Sequence, residues 1–415
     1  MIKRNVKNRI VKSLELREVS IIIGARQIGK TTILKDIIAD LRNSGNRVLY
    51  FNLDIEDDSK HFSTQQQLLN KIELEVGLEN AYIFIDEIQQ KENAGRFLKG
   101  MFDMGLPYKF IVTGSGSIEL KEKISEALTG RKYLIEMKPV SFLEFVNYKT
   151  QYKYEDRIEK FFEIEKEKNQ LLLNEYLAFG GYPAVITADT IERKQEIMNE
   201  IFVSYITKDI SFLLGVRFPD KFIKMIKLLA VQSGGIINYS QLAQDTGMRT
   251  ETLKTFLWYA EQTFIIKIVK PYYTNQKKEL TKSPTIYFND LGMLNFSKNS
   301  FNGGVQDGMV FQNFIYSILD ERFSHGLYKI NYWRTKDKAE VDFVIHSQGG
   351  VIPVEVKQKS MSKVAISRSY RSFLTSYEPK SGYIINLEYS DSVYINKSRV
   401  LVMPYWRLFS IVLGE

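Results

Sequence analysis

Gly24, Gly29, Lys30 and Thr31 stand in the spacing G-x-x-x-x-G-K-T within "VSIIIGARQIGKTT". Phosphate chemistry asks for that set. Glycines let successive backbone N–H groups wrap an oxyanion, a lysine neutralises its charge, and a threonine hydroxyl can hold a divalent cation. Gln27 and Thr32 belong to the same wrap. A chance glycine turn would share the spacing. Here, however, an apolar β-prone run precedes the loop and an amphipathic helical pattern, "ILKDIIADLRNSG", follows it. The loop is therefore expected to bind ATP with Mg2+, Lys30 reaching the β- and γ-phosphates and Thr31 the metal.

Two further strand ends fit the same chemistry. "AYIFIDEIQQ" is an apolar run ending in Asp86 and Glu87. Asp86 suits the ordering of Mg2+, and Glu87 suits a base that polarises the attacking water. "KFIVTGSGS" ends in Thr113 and Ser115, polar groups expected at the carboxyl edge of a sheet, where one of them could sense a γ-phosphate. Arg131, in "ALTGRKYLIEMKPVSFLEF", is either a surface or salt-bridged arginine or a catalytic one. In the second case it acts as a finger on a neighbouring subunit or as a sensor in its own.

A second constellation lies near the other end. "EVDFVIHSQGGVIPVEVK" reads as a hairpin turning at Gln348-Gly349, which sets Ile345 opposite Ile352, Asp342 opposite Glu355 and Glu340 opposite Lys357. Strict alternation puts these polar groups on one face and Val341, Phe343, Val354 and Val356 on the other. Two facing carboxylates suit a hard cation such as Mg2+, and Lys357 would point into the same site. The plain alternative is a solvated hairpin with an ion pair between Glu340 and Lys357.

Elements must hold these groups, and the length of 415 residues allows two or three domains. With no cysteine and three histidines, disulfides, thiolate metal sites and histidine-rich zinc chemistry are excluded or disfavoured. No apolar run reaches the roughly 18 residues of a membrane span, so a cytoplasmic protein without a membrane partner is expected. The charged stretch Tyr148–Gln170 reads as an exposed helix joining two units. Beyond it, "FGGYP" interrupts a helical region. "YSQLAQDTGMRTETLKTFLWYAEQTFIIKIVKPYY" then has a winged-helix rhythm, but its second helix offers few cations and reads first as a packing or docking module. A net charge of +8 permits nucleic-acid binding. So do the lysines of "KIVKPYYTNQKKELTKSP". Lys359, Lys363, Arg368 and Arg371 follow Glu355 with no acidic residue between, a flank that would attract a phosphate backbone.

In order, "GARQIGKTT", "FIDEIQ", "TGSGS", "LTGR", "KPVSFLEF", "GGYP", "NQKKELTKSP", "YFNDLG" and "WRTKDKAEVDFVI" resemble a prokaryotic family of AAA-like P-loop ATPases. The family carries a winged-helix middle and a C-terminal PD-(D/E)XK restriction-endonuclease-like domain, whose D…E-x-K core Asp342, Glu355 and Lys357 resemble. The resemblance implies an α/β chain in three parts: residues 1–150 a P-loop domain with a parallel sheet, 151–295 helical and winged-helix, and 296–415 nuclease-like. It implies ATP hydrolysis through Glu87 and action on DNA, with a homo-oligomer if Arg131 works in trans. Where such domains commonly carry Glu on their opening helix, this chain has Gln312, an amide that binds Mg2+ more weakly. The competing expectation is a signalling or scaffold ATPase whose nuclease-like domain only docks partners.

Overall fold

The computed structural model describes residues 1–115, 125–204, 219–273, 279, 282–301, 307–323, 328–347, 349–359 and 361–411. Much of the lysine-rich segment before Thr285, and Gln348 at the hairpin turn, lie outside the described residues. The chain forms two compact units. Unit 1 comprises Met1–Tyr148, Gly181–Pro219 and Phe256–Ile265, and unit 2 comprises Lys149–Gly180, Asp220–Thr255 and Ile266–Glu415. Residues 151–295, expected as one middle region, are thus shared between the units.

Unit 1 is built, among the described residues, on a five-stranded parallel sheet. Its strands are β1 (Val19–Gly24), β2 (Val48–Asn52), β3 (Ala81–Asp86), β4 (Tyr108–Ser115) and β5 (Lys132–Glu136), in the order β2-β3-β4-β1-β5. All six residues of β1 are buried, as expected of a parallel strand covered on both faces. Parallel pairing brings the strands' carboxyl ends to one edge. Gly24 is in register with Ser115, and Asn52 with Asp86. That edge is where open α/β sheets hold ligands.

Unit 2 has a mixed six-stranded sheet among the described residues: β8 (Lys329–Arg334), β9 (Glu340–Ser347), β10 (Gly350–Val356), β11 (Ser381–Asn386), β12 (Asp391–Ile395) and β13 (Ser398–Pro404), ordered β12-β13-β11-β10-β9-β8. The helix Arg368–Tyr377 packs Tyr370, Phe373 and Leu374 against Val341, Val344 and Ile384. The helix Gly308–Phe323 sends Tyr316 into a stack with Tyr287 of β7 (Thr285–Phe288), at 4.5 Å between ring centroids, with Phe343 beside both. Upstream, the short helix Tyr239–Thr246, a left-handed Gly247, the longer helix Thr250–Gln262 and β6 (Ile266–Val269) follow the order read from sequence.

The stretch Tyr148–Gln170 is not a simple exposed connector. Phe161 and Phe162 are buried, and Phe162 packs on Tyr405, Trp406 and Phe409 within unit 2. The adjacent phenylalanines were the overlooked signal in an otherwise charged segment.

Candidate functional site

At the carboxyl edge of the unit 1 sheet, Gly29 holds φ at +94°, a conformation L side chains rarely adopt, and Gln27 is also left-handed at +58°. A Cβ on Gly24 would collide with the Met137 carbonyl. The cradle is therefore closed to larger residues at both glycines. Gln27 and Thr32 are exposed on it. Lys30 is 5% exposed and donates to the Gly24 and Ala25 carbonyls at 3.1 and 2.8 Å, resting across the mouth of the loop. It also opens the helix Lys30–Asn43, whose first N–H groups face the same space.

Asp86, at the end of β3 and 1% exposed, is ringed by hydroxyls. Its Oδ2 accepts from Thr31 Oγ1 at 2.6 Å and from the Tyr50 hydroxyl at 3.1 Å, and its Oδ1 accepts from Thr113 Oγ1. Hydroxyls both donate and accept, so they can go on donating a hydrogen bond to the carboxylate while turning a lone pair toward a cation. The donor set fits Mg2+ held by Thr31 and Asp86. Burial, with Asp86 second, pushes the Tyr50 phenol well up, which keeps it a protonated donor. Glu87 follows in a left-handed conformation at φ +55° and accepts from Gln89 Nε2. The backbone of Ser115 lies beside Gly24, whereas Thr113 turns to Asp86 rather than toward a terminal phosphate.

Arg131 lies elsewhere. Its carbonyl accepts from the Val19 N–H at the start of β1, and its Nε pairs with Asp103 at 2.7 Å. The P-loop leaves the other end of that strand, so Arg131 stands at the opposite sheet edge from its own nucleotide cradle. This excludes the sensor acting in its own subunit.

Sequence reading missed two supports. Tyr50 is one. The other is Arg4, which donates to the carbonyls of Ile28 (3.0 Å) in the loop and of Lys138 (2.5 Å) and Pro139 (3.1 Å), and pairs with Glu144 at 3.0 Å. Glu144 is 6% exposed and also accepts from the Asn5 and Ser141 N–H groups. "KPVSFLEF" is thus the outer brace of the P-loop. Gly181 of "GGYP" backs it, donating no side chain where a Cβ would meet the Val140 carbonyl.

In unit 2 the hairpin register is as read where the ladder is formed: Ile345 faces Ile352, and pairing runs to Phe343 opposite Val354. It stops there. Asn331 of β8 faces Val344 and Trp333 faces Val341, so Asp342 and Phe343 together oppose Tyr332, a β-bulge. The bulge breaks the expected alternation. Val341 joins Val344 on the Tyr370 side, while Phe343 packs with Tyr287 on the other. Asp342 turns toward the helix Gly308–Phe323, accepting from Gln312 Nε2 at 2.9 Å and from the Val356 N–H at 2.7 Å. Burial, with the Glu355 charge adding, pushes the Asp342 carboxyl up to about 7, against the Val356 N–H and Lys357.

Glu355, 5% exposed, accepts instead from Ser367 Oγ at 3.0 Å and pairs with Lys357 at 2.6 Å. Glu340 pairs with Arg334 at 3.3 Å rather than with Lys357, because the strands have parted by that point. A cavity of about 340 Å³ opens in front of Asp342 and Gln312, rimmed by Arg334, Glu340 and Gln358. Among the described residues no three His, Cys, Asp or Glu side chains gather as a metal-holding group. Asp342 thus accepts from two N–H donors, and Glu355 from a hydroxyl and an ammonium, so each carboxylate has its own set of partners.

Residues 16–146 match the family of the AAA domain, and residues 170–302 and 307–408 match two domains of unknown function, DUF8612 and DUF4143. The N-terminal part is thus of the P-loop ATPase type. Relatives include uncharacterized proteins of Methanocaldococcus jannaschii (23% identical, covering 98% of this chain and 90% of that one), Mycobacterium tuberculosis (23%, 91% and 78%) and Haemophilus influenzae (24%, 85% and 86%). Among solved structures, the replication initiator DnaA bound to AMPPCP and single-stranded DNA aligns at 15% identity and TM-score 0.28, over 63% of this chain and 90% of that one. The Pif1 helicase of Candida albicans aligns at 14% and TM-score 0.25, over 35% of this chain and less than half of its own, 44%. No helix among the described residues is long and apolar enough to cross a membrane.

Proposed function

We propose that the chain is an ATP-hydrolysing P-loop ATPase whose C-terminal domain engages DNA. The observation that carries the first half is the hydroxyl ring on Asp86, joined to the P-loop through Thr31. Lys30 would leave the Gly24 and Ala25 carbonyls for the β- and γ-phosphates. Thr31 and Asp86 would hold Mg2+, which when bound neutralises phosphate charge. Glu87 would take the proton of the attacking water. Arg131 would serve a neighbouring subunit's nucleotide, which requires it to leave Asp103 and requires a homo-oligomer. Binding of a fluorescent ATP analogue to wild type and to Lys30→Ala tests the site, and equal affinity would overturn it.

DNA engagement rests on Lys359, Lys363, Arg368 and Arg371, all exposed and contiguous in sequence with the Glu355 region. If all four neutralise phosphates, affinity for a duplex should fall with a log–log salt slope of about −3 to −4. A flat salt dependence would remove DNA as the partner. The separate partners of the two carboxylates, Gln312 and the Val356 N–H on Asp342 and Ser367 and Lys357 on Glu355, favour a second reading for that domain: it binds or docks without cutting. Cleavage of branched or single-stranded DNA by wild type in Mn2+, lost in Asp342→Asn, would reject that reading.

A further inference from the structure

Tyr50 lies outside every motif, yet its hydroxyl meets the same Asp86 oxygen as Thr31, at 3.1 Å against 2.6 Å. β2 carries it there: Tyr50 pairs with Phe84 and Asn52 with Asp86, so Tyr50 stands two residues short of the carboxyl edge and its long phenol reaches Asp86. Thr113 fixes the other oxygen from β4. The carboxylate is thus clamped between two neighbouring strands, and the third hydroxyl, on Thr31, is the one left to face a ligand in the P-loop.

We propose that Tyr50 is a positioning residue for Asp86, holding Oδ2 so that the Thr31 hydroxyl directs its lone pairs at Mg2+; this rests on the ATP reading above. Without the phenol, Oδ2 keeps only the Thr31 hydroxyl, and the one bond that fixes this oxygen independently of the P-loop is gone. The Thr31 hydroxyl then loses its set direction. Hydrogen bonds to a charged group contribute about 1.5–3 kcal/mol, which corresponds to a change of about 10- to 100-fold as an upper range.

Tyr50→Phe keeps the ring and removes only the hydroxyl. Affinity for a fluorescent ATP analogue is measured by equilibrium titration with excess Mg2+ and with EDTA, and the ratio is the Mg2+-dependent gain. The expected result is an unchanged affinity in EDTA and a gain smaller than wild type by about 10-fold. Thr113→Val, which loosens the other oxygen, should lower the gain in the same way. An unchanged gain in Tyr50→Phe overturns the proposal while leaving ATP binding intact. Equal losses in EDTA and in Mg2+ also overturn it, since they mark a merely structural tyrosine. A wild type that binds no nucleotide sinks both this proposal and the ATP reading.

Discussion

Asp86 and Asp342 each sit near the end of a mostly apolar strand, and each carboxylate has both oxygens hydrogen-bonded. The donors differ. Around Asp86 they are three hydroxyls, which can rearrange to present oxygen to a cation. Around Asp342 they are an amide and a backbone N–H, which present hydrogen, while Glu355 nearby has an ammonium and the single hydroxyl of Ser367. The same carboxylate chemistry thus meets hydroxyls that can reorient in one unit and mainly N–H donors in the other. Counting carboxylates would not separate the two. Identifying the atoms that face them does.

The comparison can be broken most forcefully at Glu87. Glu87→Gln should lower ATP turnover by about 10²- to 10⁴-fold while analogue binding stays at the wild-type level, and steady-state turnover beside a binding titration checks this. Turnover at the wild-type rate removes Glu87 as the base.

Arg4→Ala should come next. It strands Glu144 as a buried charge, a change that typically costs about 3–5 kcal/mol. It should also weaken nucleotide binding through the Ile28 carbonyl. Denaturant unfolding with and without ATP analogue reports both, and a loss below 1 kcal/mol would mean that the brace is not needed.

In unit 2, Gln312→Glu replaces the N–H facing Asp342 with a second carboxylate. The protein should lose about 1–3 kcal/mol in EDTA and regain it in Mn2+, whereas wild type should respond little. Thermal melting of the two proteins in both conditions decides it. A strong Mn2+ response in wild type would erase the contrast between the sites.

The smallest expected effect lies at the foot of β4, on the sheet edge away from the phosphates. Lys109 is buried against the Leu16 and Glu18 carbonyls, and burial lowers its ammonium to about 8. Its folded pKa lies below the unfolded one, so the unfolded chain binds more protons between pH 8 and 10.5, and stability should rise with pH across that window. Urea midpoints at pH 7.5 and 9.5 should show this rise for wild type and lose it in Lys109→Met. Parallel behaviour would remove the assignment.

The nucleotide edge was legible because its chemistry is local: the glycines, Lys30 and Thr31 are neighbours, and parallel strands deliver Asp86 to them without further information. The hairpin register from Phe343 to Ser347 was legible for the same reason, since apolar alternation specifies it. The bulge was not. One extra residue at Asp342-Phe343 leaves no mark in composition, yet it re-aims the carboxylate on which the metal reading depended. Tyr50 looked like any aromatic residue of a buried strand, and Arg4 like part of a basic leading segment. Each acquires its role only from contacts distant in sequence.

That distance has a kinetic consequence for Arg4. Its partner Glu144 is 140 positions along the chain, so the brace on the P-loop closes a loop spanning nearly the whole of the AAA-matching region. Non-local contacts form late, after the entropy of closing long loops has been overcome. During synthesis, the glycine cradle emerges early but cannot acquire its final shape until residue 144 has left the ribosome. Nucleotide capture should therefore appear abruptly in a series of stalled nascent chains, near that length plus the ribosomal tunnel, rather than growing with each strand added.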